Sequence, residues 1–359
     1  MSGGIAFGYF IFQYEGHLPH MVVLTRNTFD PFQTILQRLG VVQDILQTTT
    51  PAKGLRNLLD VLDSGRPAIV WADMVNLPYN ALQRATDYWA MMPLVVFGHD
   101  GEHAFLADRS SQPLTVTAAE LEAARARVKK DKFRVLSIDP PRPEKLASAV
   151  SNGIWDCIRL FTEKPPRGTT RNFGLSAMQH WASMLTNTRN PQSWARALPP
   201  GPEMFAALSG HGAVPGLYSW VQAWGDGGGE RARYAKFLEE AAVILERPAL
   251  KQVAPLFRKS HAAWAELADL ALPKSVPALA EARRLHDKRA SLFWERGSEA
   301  LDELLALAEK QRELSARMKR EFPLDEAQAA DLRAALSAQV LKIHDIEKQA
   351  VQAMQDAMA

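Results

Sequence analysis

The sequence contains one cysteine in 359 residues. A single thiol cannot form a disulfide within the chain, and zinc sites built from several cysteines are excluded. The chain also lacks an excess of either charge: it has 42 lysine and arginine residues and 40 aspartate and glutamate residues, a net charge of +2. Nucleic-acid binders usually carry a strongly basic face, and a membrane-spanning helix needs roughly 20 apolar residues in a row, which this chain lacks. The sequence therefore predicts neither a nucleic-acid partner nor a membrane span.

The first residues, MSGGIAFGYFIF, carry no basic group ahead of the apolar ones. Secretory signals start with such a basic segment, so none is expected here. Hydrophobic residues make up 47% of the chain and charged residues 23%, a balance typical of proteins that bury a core. The length corresponds to about two domains. We expect a soluble, cytoplasmic protein.

Strand and helix patterns alternate up to about residue 142. Apolar or alternating runs predict strands at 67–72, 94–97, 103–108, 114–116 and 133–138, the second and third as a hairpin. Thr117, followed three residues later by Glu120, predicts a capping box at a helix start. The proline-rich segment 140–143 is typical of a domain boundary. Residues 1–142 are thus predicted to form a mixed α+β domain.

Helix-forming residues dominate after this boundary. They predict an all-helical domain over 143–275, followed by a long helical hairpin or tail over 276–359. Amphipathic stretches run from 277 to 322 and from 325 to 358, without a sustained coiled-coil repeat. These C-terminal helices offer a surface for a partner helix or for a second copy of the chain.

Neither the cysteine nor the histidines show a catalytic or metal-binding pattern. Cys157 falls mid-helix among apolar residues, whereas a reactive thiolate needs a helix N-terminus or a basic neighbour. A buried structural cysteine is therefore favoured. His17 with His20, and His99 with His103, lack the further ligands that a zinc site requires. We expect no metal and no cofactor.

Asp108 is a stronger candidate, because it closes a predicted strand and is followed by Arg109. An acid in this position orients a histidine in cysteine–histidine–aspartate triads. It equally caps a turn at Ser110 or pairs with Arg109. The local pattern leaves these three roles open.

Several motifs occur in an order that is similar to a known family. They are GRPAIVWAD at 65–73, LPY at 77–79, LVVFGHD at 94–100, LADR at 106–109 and PLTVTAAEL at 113–121, then NFGL at 172–175, GGG at 227–229 and YAKFLEEAA at 234–242. The first set resembles the N-terminal domain of the butirosin biosynthesis protein H family. The second resembles a helical domain of unknown function that commonly follows it. Together they cover roughly residues 3 to 275.

This resemblance implies a papain-like or bacteriocin-peptidase-like cysteine fold and an acyltransferase activity. In the family, an acyl group moves from a carrier-protein thioester to an amine through a cysteine nucleophile and a histidine base. An acyl carrier protein or acyl thioester is the implied partner, and Asp108 is the implied triad acid. The family's cysteine lies on a helix ahead of a segment resembling residues 2–9. Its histidine position corresponds to Met92, and the possible substitute bases are His99 and, near the start of the chain, His17 or His20.

Motif position also suggests ligand contacts for Asp73, Tyr79 and Asn172, with structural roles as the alternative. Met92 and its neighbour Met91 suit either an apolar, acyl-binding cleft or plain core packing. Two hypotheses follow. The chain is an acyltransferase of specialised metabolism, or it is a catalytically inactive relative that binds an acyl chain, a carrier protein or a partner subunit.

Overall fold

The structure is a computed structural model that describes residues 1–82 and 90–359. The strands are β1 (Ile5–Phe12), β2 (His20–Arg26), β3 (Gln43–Leu46), β4 (Ala68–Asp73), β5 (Met91–His99), β6 (His103–Ala107), β7 (Leu114–Thr117), β8 (Val135–Ile138), β9 (Gly210–His211) and β10 (Val214–Pro215). Short 3₁₀ turns cover Met74–Asn76, Pro78–Asn80, Pro143–Lys145 and Gly297–Ala300.

The helices follow in chain order. They are α1 (Pro31–Arg38), α2 (Pro51–Asp63), α3 (Ala118–Ala126), α4 (Leu146–Thr162), α5 (Gly174–Thr186), α6 (Trp194–Ala197), α7 (Pro202–Ser209), α8 (Leu217–Gln222), α9 (Arg231–Ile244), α10 (Leu250–Ala271), α11 (Pro277–Arg296), α12 (Leu301–Met318) and α13 (Glu326–Met358). Among the described residues, no helix combines the length and the apolar character that crossing a bilayer requires.

Contacts between residues divide the chain into two compact units. The helical unit comprises Met1–Gly40, Pro141–Arg283 and Glu313–Ala359, and the sheet unit comprises Val41–Pro140 and Arg284–Arg312. This division differs from the three domains predicted from the sequence, 1–142, 143–275 and 276–359. That these three segments are separate domains stays a prediction. It differs because the β1–β2 hairpin packs on helix α5, while the end of α11 contacts the segment before β7 and the following 3₁₀ turn contacts β7 itself.

The helical unit is built around the β1–β2 hairpin and a layer of long helices. The two strands pair antiparallel, from Ile5 opposite Arg26 to Phe12 opposite His20. Phe7 of β1 is fully buried and stacks on Trp181 of α5, with ring centroids 5.8 Å apart. Helix α10 packs against both α9 and α13. The stacked aromatic rings contribute a large buried apolar surface between the hairpin and α5.

The sheet unit contains a six-stranded antiparallel sheet in the order β3-β8-β4-β5-β6-β7. Helices α2 and α3 cover one face, which is the buried core of this unit. That core includes Leu58, Val61, Val70, Ala72, Leu94, Val96, Leu106, Val116, Leu121 and Ala124. The alternation of side chains along each strand places one residue in two on this face.

The structure confirms most of the elements predicted in the first 142 residues. The hairpin of β5 and β6 forms, and the capping box is complete. The Glu120 backbone N–H donates to Thr117 Oγ1 at 3.2 Å, and the Thr117 N–H donates to Glu120 Oε2 at 2.9 Å. The mixed α and β character and the helical C-terminal region are confirmed as well. The papain-like architecture stays a prediction.

Two features depart from the sequence pattern. The amphipathic stretch from 277 is not continuous, because α11 ends at Arg296 and Gly297 adopts a φ of +52°. A Cβ at Gly297 would also lie 2.6 Å from Leu114 Cδ2, so a larger residue here would strain the backbone and displace the Leu114 side chain. The pattern does not predict the β1–β2 hairpin either, since IAFGYFIF is apolar throughout and shows no alternation.

Candidate functional site

Asp108 and Met92 lie near each other at one end of the β5–β6 hairpin. Ala107 pairs with Val95, so Asp108, the next residue, comes opposite Leu94. Met92 is two residues farther along β5, a rise of about 7 Å. Since side chains two apart on a strand share a face, Met92 and Asp108 belong to the face that α2 and α3 cover. The structure thus brings the implied acid beside the position where the family resemblance expects a histidine.

The Asp108 carboxylate is held by two neighbours. The Tyr79 hydroxyl donates to Oδ2 at 3.1 Å, and the Arg109 guanidinium donates from Nε to Oδ1 at 3.3 Å. Tyr79 is 1% exposed, and its burial, with the nearby Asp108 charge, raises the pKa of its hydroxyl. Tyr79 therefore stays a proton donor at neutral pH. Of the three roles open for Asp108, the pairing with Arg109 is confirmed.

Asn80 and Phe293 complete this group, which we call the Asp108 cluster (Tyr79, Asn80, Asp108, Arg109 and Phe293). Arg109 Nη2 donates to Asn80 Oδ1. The Arg109 guanidinium lies 5.3 Å from the centre of the Phe293 ring, within the range of a cation–π contact. Tyr79 stacks on the same ring at 6.2 Å. The cluster thus places one charged donor group, the Arg109 guanidinium, beside an aromatic ring.

His99 lies at the other end of the hairpin from Asp108. Its Cα partner is Ala104, four residues from Asp108, so the two positions are about 13 Å apart along the strand. The ring instead contacts Asp63, with 3.2 Å between Nε2 and Oδ1. A base must come within hydrogen-bond reach of the proton it takes. The structure does not bring His99 to Asp108.

Asp73 is also part of the sheet unit, but its carboxylate is fully engaged by its surroundings. It is 1% exposed and accepts hydrogen bonds from the Val75 and Ala90 backbone N–H groups at 3.2 and 3.0 Å. Its other oxygen accepts from Asn76 Nδ2 at 2.7 Å and from Arg127 Nε at 2.6 Å. These contacts fix the turn after β4, which is a structural role.

Asn172 belongs to the helical unit, where it holds β1. Its side-chain Nδ2 donates to the Tyr9 carbonyl at 2.9 Å, and its backbone carbonyl accepts from the Tyr9 N–H at 3.0 Å. Its Oδ1 accepts from the Thr169 hydroxyl at 3.1 Å. Asn172 therefore extends the hydrogen bonding of β1 at Tyr9. This is the structural role that the sequence analysis gave as the alternative to a ligand contact.

Cys157 is buried in α4, as the sequence predicts. Its thiol donates to the Ile5 carbonyl at 3.3 Å, and burial raises the pKa of the thiol to about 12. The thiolate is the reactive form of cysteine. Cys157 is consequently not available as a nucleophile at neutral pH.

The histidines form one close pair in the helical unit. The rings of His20 and His211 lie 5.6 Å apart between centroids. Burial, followed by the charges of His20 and His17, lowers the pKa of His211 to about 4. Within residues 1–82 and 90–359, no group of three or more histidine, cysteine, aspartate or glutamate side chains has an arrangement that holds a metal ion.

Comparison with known families identifies both parts of the chain. Residues 1–109 match the family model described as butirosin biosynthesis protein H, N-terminal. Residues 119–292 match the model of a domain of unknown function, DUF4872. The two matches follow each other along the chain. The resemblance drawn from the motifs is thereby confirmed, while a search of the curated proteins found no match.

The butirosin-type match contains four of the five members of the Asp108 cluster. Phe293 lies just beyond the second match, in helix α11. Sequence patterns do not predict Asn80, Phe293 or the nearby Arg289 as site residues, because Asn80 meets Arg289 across 209 positions and Phe293 meets Ser110 across 183. Only Arg109, adjacent to Asp108 in the LADR motif, has a local signal.

Proposed function

We propose that this chain binds an acyl thioester, the substrate class implied by its family resemblance, without transferring the acyl group by a cysteine–histidine mechanism. An acyl carrier protein is the proposed bearer of the thioester. The Asp108 cluster in the sheet unit is the proposed contact for it.

The observation that carries this proposal is the position of Met92. It occupies the histidine position of the resemblance, on the same sheet face as Asp108 and about two residues away in register. A thioether takes up no proton at neutral pH, so it cannot serve as a general base. A transfer that depends on a histidine at this position therefore lacks its base.

The contacts of Asp108 support the same conclusion. In a triad, the acid accepts a hydrogen bond from the catalytic imidazole and orients it. Here the Asp108 oxygens accept from Tyr79 and Arg109 instead. This arrangement holds Arg109 in place, and Arg109 remains about one-third exposed. We propose that this partly exposed guanidinium contacts an oxygen atom of the ligand.

The alternative is acyl transfer by a papain-like enzyme, as the resemblance implies. Its support is that Asp108 lies on the same sheet face as the Met92 position. It requires a base other than Met92 and a thiolate other than that of Cys157. It also predicts a covalent acyl–enzyme intermediate, which the binding proposal does not.

The proposal is tested by measuring the equilibrium binding of the full chain to an acyl carrier protein that carries a butyryl thioester. We expect saturable binding by calorimetry, weakened about tenfold by Arg109→Gln, because a charged hydrogen-bond donor is lost. Arg66→Gln is the matched control. Arg66 is also in the sheet unit and pairs with an aspartate, Asp139, at 3.0 Å, but it lies outside the cluster.

The control variant should bind like the unchanged protein. Lack of any saturable binding would overturn the proposal. Equal affinities of the Arg109→Gln and Arg66→Gln proteins for the carrier protein would show that the Asp108 cluster is not the binding site. Release of free carrier with formation of an amide from an added amine would replace the proposal with the enzymatic alternative.

A further inference from the structure

The six-stranded sheet of the sheet unit has a second face, opposite the one that α2 and α3 cover. Side chains alternate along each strand, so Ile69, Val95 and Phe105, each next to a core residue, lie on this second face. Residues that pair across antiparallel strands share a face, so Ile45, which pairs with Leu136 opposite Ile69, belongs to it too. We call the six large apolar side chains on this face the open sheet face (Ile45, Ile69, Val95, Phe97, Phe105 and Ile138).

The open sheet face is both apolar and accessible. Ile45, Phe97 and Ile138 are 45%, 47% and 39% exposed, and the rings of Phe97 and Phe105 stack with centroids 6.4 Å apart. An antiparallel sheet whose second face meets water normally carries polar side chains there. In this sheet, the side chains that share rows with the six are also uncharged, namely Ala107, Thr115 and Leu136. A contiguous apolar surface of this kind indicates a contact with another molecule.

We propose that the open sheet face binds the same face of a second copy of this chain. Two six-stranded sheets then pack face to face about a two-fold axis, separated by about 10 Å. In this contact each apolar row meets apolar rows of the other copy, and the exposed phenyl rings of both copies leave water.

The width of the face favours a second sheet over a single helix. Six strands about 4.8 Å apart span about 29 Å, whereas one helix with its side chains is about 10–12 Å across. A helix would therefore leave more than half of the face in water. A second sheet of the same width and the same twist covers the face fully.

The composition of the face also selects the partner. A strongly acidic or basic surface would lose the hydration of its charges on this face without gaining an ion pair. A second copy presents only uncharged side chains in the two rows named above, so it loses no such hydration. The face is thus complementary to itself.

The size of the face sets the strength of the contact. The strand spacing and the length of the rows give roughly 500 Å² on each copy, or about 1,000 Å² for the pair, close to the smallest area of specific interfaces. We therefore expect a dimer that dissociates at micromolar concentrations. This inference does not depend on the proposed function, because Asp108 belongs to the covered face and the test uses no ligand.

The test is sedimentation equilibrium of the full chain from about 1 to about 200 μM, a range that brackets the dissociation constant expected for this area. We expect the average mass to rise from that of one chain toward that of two and to stop there, because a two-fold contact closes the assembly. The dissociation constant should change little between about 0.05 and 0.5 M sodium chloride, since salt screens charged contacts and not apolar ones.

Two variants locate the contact. Phe97→Lys and Ile45→Lys each place a charge in the open sheet face and should weaken the dimer at least about tenfold, because a buried lysine without a partner is unfavourable. Both positions are exposed in a single chain, so the monomer should keep its thermal midpoint. Leu305→Lys is the matched control. Leu305 is 48% exposed and belongs to the sheet unit, but it lies on α12, outside the open sheet face, so this variant should dimerise like the unchanged protein.

A single-chain mass at every concentration would overturn the inference, and this result needs no variant to be folded. A dimer that Phe97→Lys and Ile45→Lys weaken no more than Leu305→Lys would also overturn it and assign the contact to another surface, such as the C-terminal helices. Growth beyond two chains would contradict the two-fold contact. If the chain stays monomeric and Phe97→Lys weakens its binding to the acyl carrier protein, the open sheet face belongs to the carrier protein instead.

Discussion

Arg231 and Glu347 form an ion pair with neither side chain exposed. Arg231 Nε donates to Glu347 Oε1 at 2.7 Å, and Nη2 donates to Oε2 at 3.0 Å. The remaining N–H groups of Arg231 donate to the carbonyls of Thr25, Gly229 and Ala6, so all five are used. Glu347 also accepts from Ser260 and Trp264. This pair links α9, α10 and α13 to the β1–β2 hairpin of the helical unit.

Removing the acid of this pair should destabilise the helical unit strongly. Glu347→Gln leaves the buried Arg231 charge uncompensated, at an expected cost of about 3–5 kcal/mol in the free energy of unfolding. Urea unfolding followed by tryptophan fluorescence measures it, since Trp264 contacts Glu347 directly. The control is Arg258→Gln, which breaks the exposed pair with Glu239 and should cost about 0–1 kcal/mol. Similar losses in both variants would contradict the assigned role.

Cys157 should resist alkylation in the folded protein. With a thiol pKa of about 12, the thiolate is about one part in ten thousand at pH 8, and the side chain is also buried. Mass spectrometry should find no iodoacetamide adduct on the native chain over a time that labels the urea-unfolded chain completely. Rapid labelling of the native chain would mean that the thiol is accessible and more acidic than its surroundings imply.

Tyr79 and Asp108 should be energetically coupled. A double-mutant cycle with Tyr79→Phe and Asp108→Ala, neither of which keeps its side of the hydrogen bond, isolates this interaction, which we expect to contribute about 1–3 kcal/mol because one partner is charged. The free energies of unfolding of the four proteins give the coupling. Additive effects of the two changes would show that the hydroxyl and the carboxylate do not interact in solution.

Stability should fall in mild acid through His211. The pKa of His211 is lowered from 6.5 to about 4 in the folded protein, mainly by burial, so the unfolded chain binds a proton more readily. Its contribution to stability is therefore complete above pH 6.5 and is lost as the pH falls from 6.5 toward 4. His211→Gln should flatten the pH dependence of the unfolding free energy over this range. An unchanged slope in the variant would assign the acid sensitivity to other groups.

Local sequence patterns account for the elements whose determinants are local. Thr117 and Glu120 predict the start of α3, and the apolar run before Asp73 predicts β4. Both predictions succeed because capping and strand burial depend on nearby residues. The burial of Cys157 follows from its apolar helix face in the same way. The resemblance to the butirosin family further indicates Asp108 as a site residue. Its ion-pair partner, Arg109, is the next residue in the sequence.

Other features depend on contacts that no local pattern records. Arg289 meets Asn80 across 209 positions, and Ser110 meets the Phe293 carbonyl across 183. The boundary between the two units within α12, after Arg312, also depends on long-range contacts. The first part of this helix belongs to the sheet unit and the rest to the helical unit. Amphipathic spacing shows that a helix has a buried face but does not show which residues cover that face.

The central claim is that this chain binds an acyl thioester and forms no acyl–enzyme bond. Its most direct test is the intact mass of the full chain after incubation with excess butyryl carrier protein at pH 8, quenched in acid without an added amine. We predict an unchanged protein mass under conditions where calorimetry shows the chain to be saturated. A mass increase equal to one butyryl group, on any residue, would contradict the account and establish acyl transfer.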